Sequence, residues 1–307
     1  MTGLASEYFS VHPEVEEAIK QGEPVIALES TVITHGLPYP DNQKLAASLE
    51  AEIRELGCTP ATIAIIDGRI CIGIDKQQLG TLVHTGEVIK VSGRDIATAI
   101  KGHKTGGTTV AGTLAIAQAA GIRVFATGGI GGVHRGSTFD ISADLMRLAR
   151  SQLVVVCAGA KAILDIAATL EVLETYGVPV IGYQTDEFPA FYSTSSGLPV
   201  SYRVESAEEV AGIAQTHWDL GMHSAVLVAV PPPAEVAMNP EVVEEAIQTA
   251  LEDAHKSHVH GQAVTPFLLS RVTELTGGQS LTANLGLLRN NARVAAEIAR
   301  AIQTQKI

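Results

Sequence analysis

The sequence predicts an α/β protein, a single-domain α/β/α sandwich over residues 1–307 with a central mixed, mostly parallel sheet. Three observations predict it. Short apolar segments of buried-strand length alternate with amphipathic stretches of helical period. Ala, Val, Ile, Leu and Gly dominate while only 4% of residues are aromatic, which suits parallel strands covered by helices. Asp67-Gly68 separates two apolar runs as a two-residue hairpin signal, which puts an antiparallel pair into the sheet.

Taken in order, residues 24–28 read as a short apolar strand. Residues 41–56 read as a helix with Leu45, Leu49, Ile53 and Leu56 on one face. Residues 61–66 and 69–74 are the arms of the hairpin. Residues 88–91 form a strand and 108–120 an Ala-rich helix. Strands at 122–126 and 153–157 each run into a glycine-bearing loop. A helix over 162–176 and a strand over 178–183 follow. Ser206 and Glu209 form a capping-box pattern at the start of a helix over 206–220. A strand at 225–230 is stopped by three prolines. Helices at 240–255, 266–275 and 281–302 complete the chain, the second with Thr265 as N-cap and Pro266 at its first position.

The chain is 46% hydrophobic and 18% charged, so it buries a substantial core. Its net charge of −12 argues against nucleic-acid and anionic-membrane partners, and an anionic substrate would need a local cluster of donors. Cys58, Cys71 and Cys157 are widely spaced and fit no zinc or disulfide pattern, which predicts reduced thiols in the cytoplasm. The first residues lack a signal-peptide pattern, and no apolar run reaches membrane-spanning length.

Residues 127–144 carry the densest chemistry. Five glycines, a histidine, an arginine, two aspartates and four hydroxyl residues lie between a strand and the apolar start of a helix at Leu145–Leu148. Open α/β sheets bind ligands in such loops. Glycines let backbone N–H groups approach an anion, and Ser142 is placed to cap the helix. Asp144 then lies inside the helix and Asp140 in the loop before it. Two carboxylates with hydroxyls can hold a hard cation that keeps several waters, such as Mg²⁺ or Mn²⁺. Spacing alone favours the simpler reading, acids stabilising a helix N-terminus.

Lys161 follows the strand at 153–157 through small residues and precedes the predicted helix at 162–176. A desolvated lysine can serve as an amine nucleophile on a carbonyl. The alternative, a surface lysine at a helix start, is opposed by the macrodipole. Glu29 ends the first strand, where a carboxylate suits general acid–base work or simply accepts hydrogen bonds from loop N–H groups. Lys90 ends another strand and could pair with a substrate oxyanion. The run Lys104–Thr109 lacks P-loop spacing, and Gly128–Gly132 lacks dinucleotide spacing and a ribose-reading acid, so both nucleotide motifs are rejected. His255, His258 and His260 cluster at a helix end, where capping or solvated histidines are the expected reading.

Seven segments resemble one family. They are Ala27–Gly36 (Ala-Leu-Glu-Ser-Thr-Val-Ile-Thr-His-Gly), Pro60–Ile66, Phe125–Gly136, Phe139–Asp144 (Phe-Asp-Ile-Ser-Ala-Asp), Val156–Lys161 (Val-Cys-Ala-Gly-Ala-Lys), Ile181–Thr185 and Thr265–Leu269. They resemble the pseudouridine-5′-phosphate glycosidases, also called indigoidine synthase A-like, from about the first helix to the last. The resemblance implies reversible cleavage of the C–C glycosidic bond of pseudouridine 5′-phosphate to uracil and ribose 5-phosphate, an Mn²⁺ ion, a homotrimer and an α/β/α fold. It places Lys161 as nucleophile, Glu29 as proton donor and Asp140 as metal ligand. Lys90, Val110, Ser142, Ala143 and Asp144 fall on substrate-binding positions, and Thr109, Thr127, His134 and Asn284 on positions lining that site. The segment Arg135–Phe139 is shorter than the pattern leads one to expect.

Chemistry favours a lysine for such a reaction. A C-glycosidic bond has no heteroatom leaving group, so the two-carboxylate glycosidase route fits poorly. Opening the ribose exposes an aldehyde-level C1′ that an amine can capture as an imine, an electron sink beside the breaking bond. An acid such as Glu29 then supplies the proton that the departing carbon needs. Two rivals are a metal-dependent lysine aldolase acting on another sugar phosphate and a non-catalytic nucleotide-binding regulator. Uracil release and turnover, respectively, separate them.

Overall fold

The computed structural model describes residues 7–84, 87–136, 139–259 and 261–305. The chain opens with β1 (Phe9–Val11), α1 (Pro13–Gln21), β2 (Val25–Leu28), α2 (Asp41–Glu55), β3 (Thr59–Ile66), β4 (Arg69–Ile72), α3 (Lys76–His84) and β5 (Ile89–Val91). It continues through α4 (Ile96–Lys101), β6 (Gly106–Thr108), α5 (Val110–Ala120), β7 (Val124–Ala126), β8 (Val133–His134), α6 (Ala143–Leu148), β9 (Val154–Cys157) and β10 (Leu164–Asp165). It ends with α7 (Ile166–Thr175), β11 (Val180–Tyr183), β12 (Tyr202–Val204), α8 (Ala207–Asp219), β13 (Val226–Ala229), α9 (Pro240–Lys256), α10 (Val264–Leu275) and α11 (Gln279–Gln305).

The main sheet runs β1-β4-β3-β2-β7-β9-β13-β11-β12, with β6 pairing β3 and β5. From β3 through β2, β7, β9, β13, β11 and β12 every neighbouring pair is parallel. β3 pairs antiparallel with both β4 and β6. The hairpin is the expected one. Asp67 and Gly68 both have positive φ (49° and 75°), as a type I′ turn requires.

Strand alternation divides the core. Ala27, Phe125, Val155, Cys157 and Leu227 point to one face, where Leu114, Leu148, Leu173 and Ile247 cover them. Ile26, Leu28, Val124, Val154, Val156 and Val228 point to the other, against Leu49 and Ile53 of α2, Val210 and Ala214 of α8, and Val294 and Ile298 of α11. Burial on both sides explains why these strands are uniformly apolar. Among the described residues no helix is long and apolar enough to cross a membrane.

Several boundaries differ from the sequence reading. Gly106–Thr108 is a strand, and α5 starts at Val110 with the Thr109 hydroxyl capping Gly112 N–H. α7 starts at Ile166, not 162, because the Asp165 side chain caps Ala168 N–H and residues 164–165 pair with β8. α10 starts at Val264 after a 3₁₀ turn, so Thr265 lies within the helix and Ala263 is the N-cap. At α8 the capping box is only half made: Ser206 caps Glu209 N–H, but the Glu209 carboxylate takes the Glu205 N–H. β1, α1, α3, α4 and β12 had no expectation, being short or weakly periodic. Of the histidine cluster, His255 lies in the last turn of α9 and His258 just beyond it, while His260 lies outside the described residues.

Candidate active site

β2, β7 and β9 are adjacent and parallel, so their C-terminal ends share one edge of the sheet, where open α/β sheets place ligands. Glu29 directly follows β2, Thr127 directly follows β7, and Lys161 lies four residues beyond β9. The Thr127 hydroxyl donates to Glu29 Oε1. The two loops are laced together by backbone: Ala158 N–H donates to Gly128 O (2.9 Å), Ile130 N–H to Gly159 O (3.0 Å) and Lys161 N–H to Ile130 O (3.0 Å). Lys161 is therefore set by the glycine loop of the neighbouring strand. It does not start a helix, so the macrodipole argument does not apply to it. What remains of the sequence argument is its half-buried place beside Ala160 and Ala162, both buried.

Glu29, Lys90, Lys161 and Asn284 line one cavity, with Thr31, His35, Gly128 and Gly129 beside them. Val32, Phe191, Pro266 and Leu269 form its apolar wall. Burial pushes the Glu29 carboxyl above the ordinary carboxylate range. Lys161, the Thr127 hydroxyl and Lys90 pull it back, and Asp144 adds to the rise. Burial holds Lys90 below the usual lysine range and Lys161 pushes the same way, against Asp144 and Glu29. His35 is lowered by burial and by Lys90. His134 is lowered by burial, then by Lys90 and Lys161, with Asp140 opposing. The site is thus a buried acid facing the partly desolvated Lys90 and the half-buried Lys161. Cysteine offers no rival nucleophile: burial pushes Cys58 and Cys71 up to about 11 and Cys157 up to about 12.

Other expected residues surround the cavity without lining it. Val110 is buried at the start of α5, behind Thr109. Ser142 caps α6 through Asp144 N–H (3.2 Å), as expected, but α6 has only six residues. Ala143 is exposed. Asp144 is buried, and its carboxylate accepts from Ala111 N–H (2.9 Å) and Gly131 N–H (2.8 Å). It ties the glycine loop to the start of α5. Asp140 is exposed, and its carbonyl accepts from His134 N–H (2.9 Å). Residues 137 and 138 of the shortened segment lie outside the described residues. Among the described residues no group of three or more His, Cys, Asp or Glu is arranged to hold a metal.

Sequence reasoning missed Asn291. It is fully buried on α11, and its amide donates to Thr127 O (2.8 Å) and Gly128 O (3.3 Å). Asn284 and Asn291 are seven apart on the apolar stripe of α11, and two amides on such a stripe were the available signal. His35 was missed as well. It sits in a single π-helical turn, Val32–Gly36, with Nδ1 2.7 Å from Thr34 Oγ1. π-turns concentrate at functional sites, but no sequence pattern marks them.

Residues 14–301 match the family described as indigoidine synthase A-like protein. The chain is 53% identical over 292 residues to a pseudouridine-5′-phosphate glycosidase from Herpetosiphon aurantiacus, covering 94% of this chain and 96% of the relative. It is similar to a crystal structure of the prealnumycin C-glycosynthase in complex with ribulose 5-phosphate, at 38% identity, a TM-score of 0.90 and 98% of both chains. It is also similar to an indigoidine synthase A-like protein from Thermotoga maritima, at 36% identity, a TM-score of 0.89 and 96% of both chains. With its α/β architecture and most of its length matched, the chain belongs to the indigoidine synthase A-like family.

Proposed function

We propose that this chain cleaves, reversibly, the C–C glycosidic bond of pseudouridine 5′-phosphate, giving uracil and ribose 5-phosphate. The observation that carries the reading is Lys161 and Glu29 facing one cavity from parallel strands β9 and β2, which flank β7, the carboxyl raised by burial. Relatives named pseudouridine-5′-phosphate glycosidase, and a C-glycosynthase relative that holds ribulose 5-phosphate, support it.

In this reading C1′ of the nucleotide bonds only one oxygen, so, contrary to the capture expected from the sequence, opening the ribose exposes no aldehyde and the imine forms only as the C–C bond breaks. O4′ leaves C1′ with a proton, and the Lys161 amine takes its place. Glu29 gives its proton to uracil C5. The C1′–C5 bonding pair returns to the uracil ring while the nitrogen lone pair makes the C1′=N bond. Water adds to C1′, ribose 5-phosphate leaves as the aldehyde, and the amine is restored. Free ribose 5-phosphate offers Lys161 an aldehyde only in the synthetic direction.

Thr127 tunes the acid. Its hydroxyl favours the charged carboxylate, and Glu29 acts only when protonated. Thr127→Val removes the donor, so the folded-state value rises further and the high-pH limb of kcat moves to higher pH. A pH–rate profile checks this, and a limb shifted to lower pH contradicts it.

For the divalent cation that the family resemblance implies, we propose Asp140 as the protein ligand. Asp140 offers an exposed carboxylate beside the half-buried His134, with no cluster of further ligands among the described residues. An ion held there keeps most of its water, as Mn²⁺ and Mg²⁺ accept. When bound, the ion offsets negative charge on the substrate in a chain of net charge −12. Chelation is expected to abolish activity and Mn²⁺ to restore it, while Asp140→Ala loses the metal response. Full activity of that variant in metal-free buffer contradicts the assignment.

We also assign the enzyme to the cytoplasm, consistent with three buried free thiols, and take the homotrimer from the family resemblance alone. Sedimentation at micromolar concentration is expected to show three copies, and a stable monomer refutes the assembly. The functional test is incubation with pseudouridine 5′-phosphate and Mn²⁺. Uracil and ribose 5-phosphate are expected in equal amounts. Sugar-phosphate cleavage without uracil release from the nucleotide favours the aldolase reading instead.

A further inference from the structure

Phe191 stands out in the cavity wall. Its φ is +65°, a left-handed backbone that a bulky aromatic rarely adopts and that persists only where the surroundings hold it. It is only 2% exposed and packs edge-to-face with Tyr192, ring centroids 4.7 Å apart. Its N–H donates to Ala158 O (3.1 Å), in the loop leading to Lys161. Its ring lies over Gly129, where an added Cβ would come within 2.6 Å of the ring carbon Cδ2. Gly159 is equally confined, since a Cβ there would meet Pro189 O at 2.3 Å. The segment 188–192 is thus wedged against both glycine loops at once. Those are the loops whose mutual hydrogen bonds, Ile130 N–H to Gly159 O and Lys161 N–H to Ile130 O, place Lys161.

The geometry points to Phe191 as a positioning residue that holds the paired glycine loops in register, and so sets the Lys161 amine against the sugar carbon. It makes no bond to substrate and moves no proton; it acts through Lys161. The assignment rests on the lysine-imine reading above. It explains why the strain is kept: a relaxed residue at 191 would lift the ring from Gly129 and leave the loops free to slide.

The test is the rate at which ribose 5-phosphate with borohydride labels the enzyme. Phe191→Gly accepts the left-handed backbone without strain and removes the ring. It is expected to label about 100-fold more slowly at saturation, as a nucleophile displaced by an ångström would. The sugar concentration giving half-maximal rate changes far less than the saturating rate. Phe191→Leu, which keeps part of the volume, falls between. A variant that melts earlier but labels at the wild-type rate overturns the assignment. Failure of both variants to fold also overturns it, placing the ring in the core alone. A wild type that labels nowhere removes the lysine-imine reading and this inference with it, whereas normal wild-type labelling beside an equally fast Phe191→Gly removes this inference only.

Discussion

Lys161→Ala is expected to lose about 10⁴-fold or more in kcat while keeping its fold, because the nucleophile is removed and little else. The loop that carries residue 161 is shaped by its backbone. Lys161 N–H donates to Ile130 O, and Lys161 O accepts from Leu164 N–H (3.0 Å), and alanine keeps both bonds. The melting temperature should therefore stay near the wild-type value, and binding of the nucleotide should survive. Steady-state assay of uracil release, with a thermal melt of the same sample, checks the pair. Normal turnover by the alanine variant would falsify the assignment of the nucleophile.

Glu29→Gln is expected to slow cleavage by about 10²–10⁴-fold, the usual loss on removing a general acid. The amide still accepts from Thr127, so the site keeps its shape. Imine formation with ribose 5-phosphate should persist, because it needs the amine and not this acid. The same variant reports on stability. The folded Glu29 carboxyl titrates above its unfolded value, so the wild type is favoured while the group is protonated, below the unfolded value. That advantage is lost as pH rises through the folded value. Relative to wild type, Glu29→Gln should therefore gain stability across that window and level off above it. Paired melts over pH measure this, and a gain that shrinks with rising pH contradicts the buried-acid assignment.

Much of this was legible in the sequence, and for identifiable reasons. Apolar runs such as Val154–Cys157 and Val226–Ala229 have no other home than strands buried on both faces. The hairpin was legible because Asp67-Gly68 demands two positive φ values. Glu29 and Lys161 were legible as residues beyond strand ends, but that their strands flank β7 on one edge comes from sheet order, which local pattern does not encode. The helix after Lys161 was misplaced because residues 162–165 are as apolar as a helix face. Only pairing of Leu164 with His134, thirty residues away, makes them a strand. Spacing shows Asp144 as a carboxylate in the first turn of a helix but not its partners, Ala111 N–H and Gly131 N–H. Phe191 and Asn291 lay beyond reach because their meaning comes from the loops they touch. A positive φ at phenylalanine has no sequence signature.

The most direct measurement is covalent. Enzyme mixed with ribose 5-phosphate and borohydride, then digested and mapped by mass spectrometry, is expected to carry one reduced sugar phosphate per chain, on Lys161. Labelling on Lys90 or Lys104, or no labelling at all, would contradict a lysine at the end of β9 as the group that captures C1′.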